Sequence, residues 1–190
     1  MNFADLPDWV GREKIEEDVA ASRDAQRLAA VLGRHAPPLE GELLPSCWHW
    51  TLFQPLQVGS ELGPDGHPRI GEFLPPVPLP RRMFTGIEVE AQRPLLVGDK
   101  VRRRSVIEAI APKQGKSGDM VFVTLRHTLE SERGGHIVEK HSFVYLGAER
   151  AIANKEKLTL PGSAFAEMLF SVWLGPKPPN AALKKGILGQ

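Results

Sequence analysis

From residue 84 to residue 146 the chain keeps a two-residue hydrophobic period, and this restricts the fold more than any other feature. Ile87, Val89 and Ala91 alternate with Glu88, Glu90 and Gln92, as in a strand with one face buried and one wet. The period returns over 100 to about 111, over 120–130 and over 136–146. In the third run Val121, Val123, Leu125 and Leu129 share a face. Val97-Gly98-Asp99, Gln114 to Gly118, and Gly134-Gly135 separate the runs. Strands joined by turns this short are expected to pair antiparallel. Ahead of them, Ala21, Ala25, Leu28 and Leu32 recur at helical spacing, with Val31 beside them. They predict a helix over 20–33 that Gly33 ends. A helix first and a four-stranded meander after it give an α+β class.

Two segments between helix and strands do not fit either period. Residues 46–54 are aromatic and apolar between Pro45 and Pro55, which predicts a short buried helix. Residues 57–80 carry Pro64, Pro68, Pro75, Pro76, Pro78 and Pro80. Proline fixes φ and removes donors, so this is a stiff extended connector. A loop that long in a compact domain is commonly the wall or lid of a site. Beyond Gly147 the character changes again. Residues 148–160 read as a polar linker. Ser163 is expected to cap a helix presenting Phe165, Met168, Leu169, Val172 and Trp173, which Gly175-Pro176 ends, and Asn180 to start a last short helix. The expected division is a domain over 1–147 and a linker with a helical tail over 148–190.

Charge excludes some functions. Lys plus Arg is 24 and Asp plus Glu is 23, a formal net charge of +1. A general nucleic-acid binder needs a basic excess, so no nucleic-acid partner is expected. No apolar run reaches membrane-span length, and no membrane partner is expected. An acidic start is unlike a signal peptide. The single cysteine, Cys47, excludes an intramolecular disulfide and fits a reducing, cytoplasmic setting. Locally the charges separate. Residues 1–20 hold six acidic and two basic groups, and residues 81–104 hold seven basic and three acidic. The basic cluster suits a small anionic ligand, or else a strand edge guarded against aggregation.

The six histidines show no metal-ligand spacing, and no metal is expected. Nucleotide-binding glycine loops and a nucleophile elbow are absent from the sequence, and no cofactor is expected. Gly115-Lys116-Ser117 lacks the upstream glycine of a phosphate loop. Cys47 lies two residues from His49, a spacing at which helical side chains do not meet, and reads as inert. His136 and His141 lie five apart on a strand and face opposite sides. His49 stands out because Trp48 and Trp50 flank it. It is either a pocket-lining imidazole or a core histidine bonded to a backbone carbonyl.

One stretch is specific enough to add to this reading. Ser60 to Pro68, then Gly71-Glu72-Phe73-Leu74-Pro75-Pro76-Val77-Pro78-Leu79-Pro80-Arg81-Arg82-Met83-Phe84, follows Trp48-His49-Trp50. With Arg93-Pro94-Leu95, Val97-Gly98-Asp99, Arg103-Arg104-Ser105 and Val121 to Thr124, it resembles the N-terminal half of the mesaconyl-CoA hydratases. These stand among the MaoC-like and type 2 hydroxyacyl-thioester dehydratases. The resemblance covers about residues 8–147. A shorter one, over 159–189, is to the C-terminal end of bacterial chalcone-isomerase-like proteins.

The resemblance implies a hot-dog fold, an antiparallel sheet wrapped around a central helix, here with a C-terminal helical extension. It implies reversible addition of water across the 2,3-double bond of an acyl-CoA or acyl-carrier thioester. Trp48, Trp50, Arg81, Arg82, Met83, Arg103 and Arg104 are the substrate-binding candidates. The alternative for the arginines is to tie the connector to the sheet. The family's catalytic Asp/His pair belongs to the second hot-dog half and has no match here. His49 is the catalytic candidate, with Glu72 or Asp65 as its carboxylate in a private acid/base pair. The expected partner is a second copy in a homodimer, or a catalytic hot-dog subunit in a heterodimer. A non-catalytic thioester-binding or scaffolding module is the other reading.

Overall fold

The structure is a computed structural model that describes residues 3–63, 67–115 and 118–147. The linker and tail expected over 148–190, with the helices predicted there, lie outside the described residues. Leaving aside two three-residue 3-10 turns at Pro7–Trp9 and Gly59–Glu61, the chain runs β1 (Glu13–Val19), α1 (Ser22–Val31), a 3-10 turn (Trp48–Thr51), β2 (Arg81–Arg93), β3 (Lys100–Gly115), β4 (Gly118–Ser131) and β5 (His136–Leu146). All strand pairs are antiparallel, in the order β1-β3-β4-β5-β2. The α+β expectation, a sheet with a helix packed on it, therefore holds.

Two strand expectations need correction. The N-terminal acidic segment is a strand, β1, which the meander lacked. Its Glu13-Lys14-Ile15-Glu16-Glu17-Asp18 is too charged to show a hydrophobic alternation. Its partner across the sheet is the basic start of β3, with Glu16 opposite Arg103 and Glu17 opposite Arg102. Complementary charge on facing strands stands in for the missing pattern. Arg103 bonds Glu16 at 2.6 Å, and Arg104 Nε donates to Glu13 at 2.8 Å. Second, β2 does not pair with β3. Pro94 ends β2, and Leu95 leaves the sheet to accept a bond from the Leu44 backbone N–H. The chain crosses to the other side before Gly98 turns it at φ +84° into β3. β2 pairs with β5 instead and forms the far edge. Its Met83, Phe84 and Val89 are exposed.

The inner face of the sheet carries two hydrophobic clusters. Helix α1, shorter than predicted by about two residues at each end, buries Ala25 and Ala29 with Trp48, Leu52, Val101, Leu129 and Ile137. At the other end, Val77 and Leu79 of the proline-rich connector, with Leu6, cover Ile107, Val121, Val123, Leu125 and Tyr145. The first cluster holds one end of the inner face and the second the other. Among the described residues no helix is long and apolar enough to cross a membrane.

Candidate functional site

Between the two clusters the inner face turns polar. Strand parity places Val101, Arg103, Ser105 and Ile107 of β3 on that face. Next to them stand Leu125, His127 and Leu129 of β4, then Ile137, Glu139 and His141 of β5. Of the polar residues among them, Ser105, His127 and Glu139 are buried. A sheet face against a core is normally apolar, and buried polar groups persist only when bonded.

Glu139 is the hub. Its Oε1 accepts from His49 Nε2 at 2.8 Å and from Trp50 Nε1 at 2.6 Å. Its Oε2 accepts from His141 Nε2 at 3.1 Å. Burial alone pushes this carboxyl upward. The bonds from His141, His49 and Trp50, with the His49 charge, reverse the direction and hold it well below the usual carboxylate range. His127 completes the row. Its Nδ1 is bonded to Ser105 Oγ at 2.7 Å, and its ring lies 4.4 Å from that of His141. Burial first, then the positive charges of His141 and Arg103, push His127 down to about 4.

The 3-10 turn delivers His49 and Trp50 from below. Cys47 enters it at φ 67° and Phe53 leaves at φ 58°. Such angles cost strain in non-glycine residues, and a bond offsets it at the exit. Asp18 Oδ2 accepts from the Phe53 backbone N–H at 2.6 Å. The Phe53 ring then lies 4.2 Å from the Arg103 guanidinium. The Cys47 thiol, pushed up to about 11 by burial and the Glu139 charge, is no nucleophile.

Two cavities meet here. The inner one, about 550 Å³, is lined by His49, Trp50, Glu139 and His141 among apolar Leu52, Phe53, Ile87 and Leu129. The outer one, about 960 Å³, is walled by the connector through Gln57, Arg69, Glu72 and Phe73. Phe53, Gln54, Phe84 and Arg103 line both. The proline-rich segment thus walls a cleft, as its length suggested.

The structure distributes the site residues read from sequence unevenly. His49, Trp50 and Arg103 reach the inner cavity, and Arg82 the outer. Trp48 is fully buried in the helix-side cluster and lines neither. Arg104 is on the outer parity of β3, bonded to Glu13. Arg81 and Met83 begin edge strand β2, where Arg81 bonds the Met83 sulfur at 3.8 Å. The carboxylate bonded to His49 is Glu139, not Glu72, which lines the outer cavity; Asp65 lies outside the described residues. Glu139, His141 and His127 were missed, although their parity was visible. Glu139 and His141 fall on the face of Ile137, and His127 on the face of Val121, Val123, Leu125 and Leu129. No group of three or more potential ligands is placed to hold a metal among the described residues.

Comparison with known proteins agrees with the sequence resemblance. A family model described as hydroxyacyl-thioester dehydratase type 2 matches residues 47–169. The mesaconyl-C(4)-CoA hydratase of Chloroflexus aurantiacus is 37% identical over 146 residues, covering 76% of this chain and 52% of its own length. The chain thus spans about half the length of this curated relative. Among solved structures, an unliganded R-hydratase from Pseudomonas aeruginosa aligns over 80% of this chain and 92% of its own, at 15% identity and TM-score 0.40. A MaoC-like dehydratase from Rhodospirillum rubrum aligns over 74% and 94%, at 14% identity and TM-score 0.43.

Proposed function

We propose that this chain, which belongs to the type 2 hydroxyacyl-thioester dehydratase family, is one half of an enoyl-thioester hydratase whose acid/base pair is Glu139 and His141. The observation that carries this is the buried Glu139 carboxylate with three N–H donors converging on it at a cavity wall. An acceptor-only carboxylate on Nε2 fixes a proton there and leaves Nδ1 of His141 as the basic nitrogen. The His141 side chain is 22% exposed, while those of His49 and Glu139 are 3% and 5% exposed. His141 is therefore the base that meets water, Glu139 orients it, and His49 and Trp50 hold Glu139 in place. In hydration, His141 takes a proton from water as the oxygen bonds to C3 of the enoyl group, and that proton is returned to C2.

The acyl group occupies the inner cavity and the thioester arm the outer one. The second half is another copy of this chain or a separate hot-dog subunit, and it covers the β2 edge at Met83, Phe84 and Val89. The test is loss of enoyl-thioester absorbance on incubating mesaconyl-CoA with the purified full chain. His141→Asn and Glu139→Gln are each expected to lower kcat by about 10² to 10⁴. Turnover indifferent to both variants removes the pair from the mechanism. No turnover by the chain alone assigns water activation to a partner, and the site here becomes a binding site.

A further inference from the structure

Hydration places a requirement on the junction of the two cavities. As the water oxygen bonds to C3 and its proton passes to His141, the C2=C3 electron pair moves into the C1–C2 bond and the C1=O pair moves onto the thioester oxygen. Return of the proton to C2 restores the carbonyl. Negative charge therefore builds on that oxygen, and a donor fixed beside it lowers the barrier. With the acyl group in the inner cavity and the thioester arm in the outer one, the oxygen lies where the two meet. Phe53, Gln54, Phe84 and Arg103 line both cavities. Two of these are hydrocarbon rings, and Gln54 Nε2 donates to the Trp50 carbonyl at 2.9 Å. Elsewhere on the inner wall, His49, Trp50 and His141 are committed to Glu139. Arg103 is what is left. Among the described residues it is the only guanidinium or ammonium group on that wall.

We propose that Arg103 is a catalytic residue of this site: its guanidinium donates to the thioester carbonyl oxygen and carries the negative charge that builds there as water adds. This rests on the reading of the cleft as an enoyl-thioester site. The guanidinium carbon stands 4.2 Å from the centroid of the Phe53 ring. Phe53 is itself tied down, since Asp18 accepts from its backbone N–H at 2.6 Å. Glu16 accepts from one guanidinium nitrogen, Nη2, at 2.6 Å. Glu16 also pairs with Lys14 at 2.8 Å, so its charge is divided between two cations. A guanidinium has five N–H donors, and one ion pair does not exhaust them. The Arg103 side chain keeps 23% of its surface exposed, which is where a ligand meets it. A cation already oriented in this way needs no reorganisation when the charge develops, and that is the source of its effect on rate. The register fits the chemistry. Arg103 and His141 lie two strands and four residues apart, about 17 Å between Cα positions. An arginine and a histidine reaching toward each other across that span leave room for one water and the C1–C3 unit.

The test reads carbonyl polarisation on a thioester that reports it by colour. 4-(Dimethylamino)cinnamoyl-CoA carries a push–pull chromophore that ends on the thioester carbonyl, so a cation at that oxygen moves its absorption band to longer wavelength. At saturation the full chain is expected to shift the band to the red. Arg103→Met is expected to bind the probe and lose the shift. Arg103→Lys, which keeps the charge and loses the fork, should retain part of it. In the hydration assay with mesaconyl-CoA, Arg103→Met should lower kcat by about 10² to 10³ with KM little changed, because the interaction belongs to the transition state. A role in folding alone would lower the urea midpoint and leave the shift in place. No shift with the unmodified chain, the same shift in Arg103→Met, no binding of the probe, or a raised KM at unchanged kcat overturns the proposal. If Arg103→Met fails to fold, a shift smaller in Arg103→Lys than in the unmodified chain supports it, and equal shifts overturn it. A shift that depends on Arg103 with no hydration by the unmodified chain sinks the hydratase reading alone. Hydration with kcat intact in Arg103→Met sinks this proposal alone.

Discussion

Acidification between pH 7 and pH 5 is expected to destabilise this domain through one residue, His127. In the fold it is buried, bonded to Ser105 at 2.7 Å, and faces the His141 ring at 4.4 Å. Burial, with the charges of His141 and Arg103, moves it from 6.5 to about 4. The unfolded chain therefore binds more protons in that window than the folded chain does. Stability from this group is fully present above pH 6.5 and is lost as pH falls toward 4. At about 1.4 kcal/mol per pH unit, the whole window is worth about 3 kcal/mol, and about 2 kcal/mol is gone by pH 5. The carboxyls held below their usual range, Glu16, Asp99, Glu108 and Glu139, act in the same direction but at lower pH. His127→Asn places an amide where Nδ1 stood and keeps the Ser105 bond without a titrating group. Urea midpoints at constant ionic strength from pH 7 to pH 5 should fall steeply for the unmodified chain and much less for the variant. Equal slopes for the two would refute the argument, because the loss would then come from other groups.

Other outcomes follow from the same geometry. Gly98→Ala places a Cβ against the Glu40 carboxylate at φ +84°, and should cost about 1–3 kcal/mol by thermal or urea unfolding. Asp18→Asn weakens the acceptor for the Phe53 backbone N–H; it should loosen the Arg103 platform and lower kcat more than it raises KM in the hydration assay. Glu139→Leu alone strands the N–H groups of His49 and His141 and should cost about 3 kcal/mol, whereas Glu139→Leu with His49→Phe should recover most of that. Additive losses in that double-mutant cycle would mean the two residues are not a pair.

What could be read from the chain, and what could not, divides along the physical origin of each signal. Helix α1 and strands β3, β4 and β5 announce themselves because one face of each is apolar, so burial writes a period into the sequence. Strand β1 writes none. It is held by backbone pairing and by Glu16 meeting Arg103, and a partner 87 residues away leaves no local trace. The β2–β3 connection misleads for a related reason. A Gly turn looks alike whether it closes a hairpin or follows a crossing, and only the burial of Leu95 against Leu44 tells them apart. His49 was legible as unusual, flanked by two tryptophans. Its partner was not, since Glu139 lies 90 residues on. Even so, a glutamate on the buried parity of a strand, two residues before a histidine, is a local anomaly. Alternation that predicts an apolar side chain and meets Glu139 instead marks a place where the fold gives up hydrophobic burial.

The two separate clusters show how that loss is borne. The helix side and the connector side each close a hydrophobic cluster on the inner face, with fully buried Trp48 and Val101 in one and Ile107 and Val121 in the other. Each buried aliphatic or aromatic side chain is worth about 1.5–3 kcal/mol, so stability rests on the two ends and not on the middle. The band between them, Arg103, Ser105, His127, Glu139 and His141, is released from packing and free to hold charge. Mutual bonding keeps its cost down: Glu139 is shared by three donors and His127 by Ser105. The Arg103 Nε is the polar atom of that band left buried without a partner, a cost that the mutual bonding leaves standing and that the two apolar ends have to offset.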